Sequence, residues 1–301
     1  MSFFIIRLKT LERRFFNFIK PTNSFSKKRL SLVLITSWSI YFLLLIGLCE
    51  LWYSKFELID FHWFNDSHEW LYCDKLGHFY IAFIECRLAV NLLRWCGWKS
   101  SFLLPTAVIW SFIMQSGYEI FDGFAINYGA SAYDLIANFF GSLAAGLQFK
   151  LWNKIIVSAK FSYHFSPYSK LRPELLGNSF WEKLIKDYNG HTYWFALNLN
   201  SISTKLPYWP KWLVLNLGYG GDGLLGGEDN IWLNQDGNVE NYSNIPRAKR
   251  VALSFDIRWD LIFPKSKFLS YLFYFFEYYK FPYPALEWHE KHGFRFYWFY
   301  W

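Results

Sequence analysis

Residues 30–48 read LSLVLITSWSIYFLLLIGL, a run with no charged side chain. A helix rises about 1.5 Å per residue, so a run of this length reaches across the roughly 30 Å hydrocarbon layer of a bilayer. Two further runs approach the same length: 102–118, FLLPTAVIWSFIMQSGY, and 135–153, LIANFFGSLAAGLQFKLWN, which holds only Lys150 near its end. Residues 75–95, KLGHFYIAFIECRLAVNLLRW, are apolar enough for a helix but carry charge. A charged helix set between spans is expected to face its neighbours rather than lipid. The fold expected is therefore an α-helical membrane bundle of about four transmembrane helices over 30–158. It follows a basic N-terminal segment, 1–29, and precedes an α+β, strand-rich C-terminal module, 159–301.

Charge sets the expected orientation. Arg7, Lys9, Arg13, Arg14, Lys20, Lys27, Lys28 and Arg29 are opposed only by Glu12, within a net charge of +7. A basic block directly before an apolar run orients a membrane helix, and nucleic acid is not needed to explain it. The loop over 50–74 is acidic and falls outside on this topology. Aromatic side chains make up 24% of the chain, with 17 Trp, which suits membrane–water interfaces. Cys49, Cys73, Cys86 and Cys96 show no CxxC spacing and so no metal-finger pattern. Leu48 precedes Cys49 where a lipid-attachment box needs a small residue, so the first helix is expected to stay uncleaved. These readings make the protein a multi-pass inner-membrane protein. The alternative is an outer-membrane or periplasm-facing envelope protein.

After about residue 160 the pattern changes. A short helix is expected near 178–187, then strands in HTYWFALNLN, KWLVLNLGYG, RVALSFDIRW and GFRFYWFYW. GYGGDGLLGGED lacks the Lys-Ser/Thr of a phosphate loop. SKFLSYLFYFFEYY, 266–279, is too short to span and suits an interfacial helix.

The candidate site comes from helical spacing. Asp74 and His78 are one turn apart and Glu85 lies on the same stripe. Gln115, Glu119 and Asp122 share a face at the end of the third apolar run. Asp134 and Asn138 share one at the start of the last, above the small-residue stripe Ala137, Gly141 and Ala145 that lets helices approach closely. The topology brings all three groups to one end of the bundle. Buried carboxylates must be paired, protonated or metal-bound. Lys75, His78 and a possible divalent cation supply the counter-charge, and Glu85 is expected to pair with a base such as Arg87 or to take a proton. Asp74, His78, Glu119 and Asp134 are the candidate metal ligands. His78, with Asp74 and Glu119, is the candidate catalytic group.

Three blocks, DKLGHFYIAF, QSGYEIFDGF and YGASAYDLIANFFGSLAAG, resemble the YfiM-like group, domain of unknown function 2279, whose members are described as predicted periplasmic lipoproteins. The resemblance covers roughly residues 60–155. More loosely, the same blocks are similar to VanZ-like membrane proteins. Neither resemblance implies an established reaction. The expected role is a structural or binding one, with the lipid bilayer and an envelope protein engaged through the C-terminal module as partners. The absence of a recognised nucleophile motif points away from an enzyme. A metal-assisted enzyme on a lipid-linked or cell-wall substrate is the alternative, and a small transporter the second alternative.

Overall fold

The computed structural model describes residues 18–50, 58–126, 128–202, 210–234, 236–258, 261, 273 and 275–301. Its long helices are α1 (Lys27–Leu48), α2 (Cys73–Trp95), α3 (Leu103–Asp122) and α4 (Ala132–Trp152). A short helix, α5 (Phe180–Lys186), opens on a capping box: Ser179 accepts from the Glu182 amide while Glu182 reaches back to Ser179 N. It falls inside the window the sequence gives.

The four-span bundle is not what the chain forms. Among the described residues, only the segments Lys27–Leu48 and Glu69–Trp95 are long and apolar enough to cross a membrane, and the second is partly buried within the protein. The reason lies in the other two runs. α3 and α4 turn Ser111, Gln115, Glu119, Asp134, Asn138 and Ser142 inward. These polar groups lower the apolarity of each helix and meet between helices: Ser111 Oγ donates to Ser142 Oγ at 2.7 Å. α2 is a core helix, packed on α3, α4 and strands. The inside–outside assignment of each loop falls with the bundle.

The other layer is a six-stranded antiparallel sheet in the order β1-β2-β3-β6-β7-β8. The strands are β1 (Val157–Tyr163), β2 (His191–Leu197), β3 (Leu213–Asp222), β6 (Ala248–Ile257), β7 (Tyr283–His289) and β8 (Gly293–Tyr300). A separate hairpin pairs β4 (Ile231–Leu233) with β5 (Val239–Asn241). The four expected strands correspond to β2, β3, β6 and β8. β1, which follows the fourth apolar run directly, and β7 were not expected. The proposed interfacial helix over 266–279 lies largely outside the described residues; at its end Phe275–Glu277 form one 3-10 turn.

Close approach joins the layers. A Cβ at Gly77 would sit 2.9 Å from Tyr193 Oη, so α2 rests on β2 because that position has no side chain. At Gly141 a Cβ would meet the Phe79 carbonyl, which fixes α4 against α2. Ala145 is buried in the shared apolar core with Phe83, Cys86, Val90 and Ala107, while Ala137 is partly exposed. Tyr80 Oη donates to the Tyr278 carbonyl at 2.8 Å and its ring meets Phe161 and Tyr193.

Candidate functional site

The site begins on a strained turn. Trp70, Leu71 and Tyr72 are consecutive non-glycine residues with positive φ (52°, 50° and 69°). Left-handed backbone costs an L-residue about 1–2 kcal/mol, so outside contacts must hold the turn. Trp70 N donates to Gly227 O at 2.7 Å, Tyr219 Oη donates to Leu71 O at 2.6 Å, and the Trp70 ring lies on Tyr188. The glycine-rich loop thus serves packing. A Cβ at Gly227 would lie 2.6 Å from the Glu69 carboxylate. Arg172 donates to Leu225 O, and Arg247 to Gly226 O and Gly227 O. The turn launches α2 with Asp74, Lys75 and His78 directed at α3 and α4.

There the polar faces meet. Lys75 Nζ bonds to Asp66, to Asp74 Oδ2 at 2.9 Å and lies 2.7 Å from Asp134 Oδ1. His78 Nε2 faces Asp74 Oδ1 at 3.8 Å, Glu119 Oε1 at 3.6 Å and Asp134 Oδ1 at 3.8 Å. Its Nδ1 sits 3.3 Å from Asn138 Oδ1. That oxygen is an acceptor, so the network assigns the Nδ1 proton to this bond and turns Nε2 to the carboxylates. Ser131, the N-cap of α4, accepts from Asp134 N at 3.1 Å, donates through Oγ to Asp66 Oδ1 at 2.5 Å and through its amide to Glu119 Oε2 at 3.1 Å. Tyr188 Oη donates to Asp74 Oδ1 at 2.5 Å.

Sequence spacing thus brings together Asp74, Lys75, His78, Glu119, Asp134 and Asn138. It does not bring in Glu85 and Gln115, which form a separate pair deeper along the helices, Gln115 Nε2 donating to Glu85 Oε1 at 2.9 Å. Arg87 is not the partner of Glu85. It is drawn to the sheet, where it binds Glu277 and donates to Ser158 Oγ at 3.2 Å. Asp122 ends α3 and acts on Glu119 through space. Asp66, Ser131 and Tyr188 were missed. The Ser-x-x-Asp spacing of an N-cap signals Ser131, whereas Asp66 and Tyr188 arrive from a loop and from the strand module with no local pattern.

The electrostatics are unbalanced. Asp66, Asp74, Glu119 and Asp134 face one lysine and one histidine. Burial pushes the Glu119 carboxyl up to about 8, against the pull of His78. Burial, then the Asp74 charge, pushes Asp134 up to about 9. Glu119 is 3% exposed and its Oε1 has no hydrogen-bond partner.

One atom each from Asp74, His78 and Asp134 lies within 4.8 Å of the others, a spacing that could hold a metal ion. Ligands about 2.0–2.2 Å from one ion stand roughly 3.0–3.5 Å apart, so the two 3.8 Å contacts of His78 would close by about 0.3–0.8 Å, and a pair at the 4.8 Å limit by about 1.3–1.8 Å, to hold a cation.

Residues 60–150 match the family DUF2279, described as predicted periplasmic lipoprotein. The match contains every residue of the cluster except Tyr188. It agrees with the resemblance to that family read from the sequence and adds nothing about VanZ-like proteins. The description fits the periplasm-facing envelope location and gives no support to a multi-pass inner-membrane one. No curated protein and no solved structure matches the chain.

Proposed function

We propose that the protein is a non-enzymatic envelope component whose buried carboxylate–histidine centre binds one divalent cation and so clasps helices α2–α4 to the strand module. The observation that carries this is His78. Its Nε2 points at three carboxylate oxygens within 3.8 Å, while its Nδ1 is engaged by Asn138. A neutral nitrogen lone pair aimed at ionised carboxylate oxygens is repulsive; in the metal-free fold protons on Glu119 and Asp134 relieve this, and a bound cation takes their place. Each proton relieves one contact, and a cation relieves all three. The donor set of one imidazole and several carboxylates suits a hard or borderline ion such as Mn²⁺ or Zn²⁺. Asp74, His78 and Asp134 are the ligands, with Glu119 completing the set. Asn138 fixes the ring as an outer partner does in metal sites, and Tyr188 ties Asp74 to the strand module.

Elemental analysis of the purified protein beside Asp74→Asn, His78→Ala and Glu119→Gln tests the proposal. Stoichiometric metal in the parent, lost in each variant, is expected. A metal-free parent that neither gains metal nor melts higher on adding Mn²⁺ overturns it.

A second reading is a metal-assisted hydrolase with His78 as general acid–base. It is favoured by the 20% exposure of the His78 side chain, which leaves the centre reachable by solvent.

A further inference from the structure

We propose that the outward face of β3, β6, β7 and β8 lies against the hydrocarbon of a lipid bilayer. This rests on the polarity of the sheet and not on the metal centre.

Strand side chains alternate between faces, so pairing register tells which residues share a side. One row crosses five strands: Phe195 pairs Leu217, Leu217 pairs Leu253, Leu253 pairs Leu286 and Leu286 pairs Phe296. All five are apolar and between 39% and 56% exposed; Phe195, at the β2 end, packs on Phe79 of α2, which leaves Leu217, Leu253, Leu286 and Phe296 as the free part of the row. The next rows on this face bring Phe255, Trp288, Phe294 and Trp298, each also exposed. Along these four strands the one charge on this face is Lys249, at the end of the pairing, where its ammonium sits 5.7 Å from the Tyr72 ring centroid.

The opposite face is buried over β2, β3, β6 and β7 and carries most of the sheet's polar groups, beside a small apolar cluster of Trp194, Ala252 and Ala285. Lys160 binds Asp256 there. Arg250 donates to Gly221 O and Asn189 O. Tyr300 Oη donates to Glu287 at 2.6 Å, and the fully buried Lys280 lies over the Trp194 ring at 4.6 Å.

A sheet with one face in water shows the reverse arrangement, apolar inward and polar outward. Apolar-out with polar-in is the pattern of strands in a membrane. Large contiguous exposed apolar patches mark interaction sites. A protein partner would be met by hydrogen-bonding groups and a polar rim, which the five-strand row lacks. β3 and β6 each have 10 residues, the length of a tilted strand that crosses the hydrocarbon layer. α1 supplies a second apolar surface of spanning length, little buried within the protein.

The test places the full chain in phosphatidylethanolamine–phosphatidylglycerol vesicles, with Cys49→Ser and a spin label on Leu217→Cys, Leu253→Cys or Leu286→Cys. A label on Asp236→Cys, exposed beside the β4–β5 hairpin, is the water reference. The three sheet labels are expected to collide with oxygen several-fold more, and with a water-soluble nickel complex several-fold less, than the reference. Nickel access equal to the reference overturns the proposal, as does immobilisation with neither collider reaching the label, which indicates a protein cover. The unsubstituted protein provides the second measurement. A lipid carrying a diazirine near mid-chain should label peptides containing Leu253 and Phe296, and labelling confined to α1 refutes the proposal.

Discussion

Replacing Lys75 with methionine separates the two roles the cluster combines. The ammonium touches three carboxylates, with Asp74 at 2.9 Å and Asp134 at 2.7 Å, and its side chain is 12% exposed. At 2.9 Å and an effective dielectric near 20, the contact with ionised Asp74 is worth about 6 kcal/mol before desolvation, while Asp134, protonated in the metal-free fold, adds a hydrogen bond. Desolvation of the lysine and its partners cancels most of that. What remains on removing one partner of a buried pair is about 3–5 kcal/mol, because the other charges stay buried without compensation. With an unfolding entropy of about 2.1 cal/mol/K per residue, a chain of 301 residues should then melt roughly 5–8 °C lower. Intrinsic tryptophan fluorescence reads the melt. In chelator, Lys75→Met should fall by that amount. The same variant should gain more from added Mn²⁺ than the parent does, because the ammonium competes with the cation for Asp74 and Asp134. A drop under about 2 °C in chelator, or equal Mn²⁺ shifts in both proteins, would refute the reasoning.

The pH dependence has a definite sign. In the metal-free fold Glu119 and Asp134 hold protons up to about pH 8 and 9, while the unfolded carboxyls lose them near pH 4. Their folded values are raised, so the stability they contribute is complete below the unfolded values and is lost as pH climbs to the folded ones. Each costs about 1.4 kcal/mol per pH unit within its window. Metal-free protein should therefore melt lower at pH 8 than at pH 5 and saturating Mn²⁺ should flatten the slope; a flat profile in chelator contradicts the assignment. Ser131→Ala removes the α4 cap and a donor to Asp66, and should cost about 1–3 kcal/mol in chemical denaturation. Gly141→Ala forces a Cβ onto the Phe79 carbonyl and should destabilise by about 1–3 kcal/mol. Gly47→Ala, where a Cβ meets nothing within 4 Å, should not destabilise.

Local pattern carried much of this architecture, and distant contact carried the rest. Turn spacing along α2, α3 and α4 was enough to align Asp74 with His78 and Asp134 with Asn138, because a regular helix converts sequence interval into direction. Apolar length misled at α3 and α4. A window average counts Leu and Ile but does not register that Ser111, Gln115, Asn138 and Ser142 are gathered onto inward faces. β1 was hidden because VSAKFSY follows a helix without a turn signature and carries Lys160, whose partner Asp256 lies far along the chain. Arg87 suggests itself as one partner of Glu85 because both lie on one helix, whereas its actual partner Glu277 is 190 residues away with no local pattern to mark it. Asp66 and Tyr188 reach the cluster only through tertiary folding, so no periodicity could reveal them.

The proposed centre holds one cation among Asp74, His78, Glu119 and Asp134. Electron spin-echo spectroscopy of the protein loaded with one equivalent of Mn²⁺ tests it most directly. A single bound ion is expected, with nitrogen modulation from one imidazole that is abolished in His78→Ala and unchanged in His62→Ala, the His62 ring facing the Tyr128 carbonyl at 3.2 Å instead. Mn²⁺ that stays free in solution, or a bound ion whose nitrogen modulation survives His78→Ala, would contradict it.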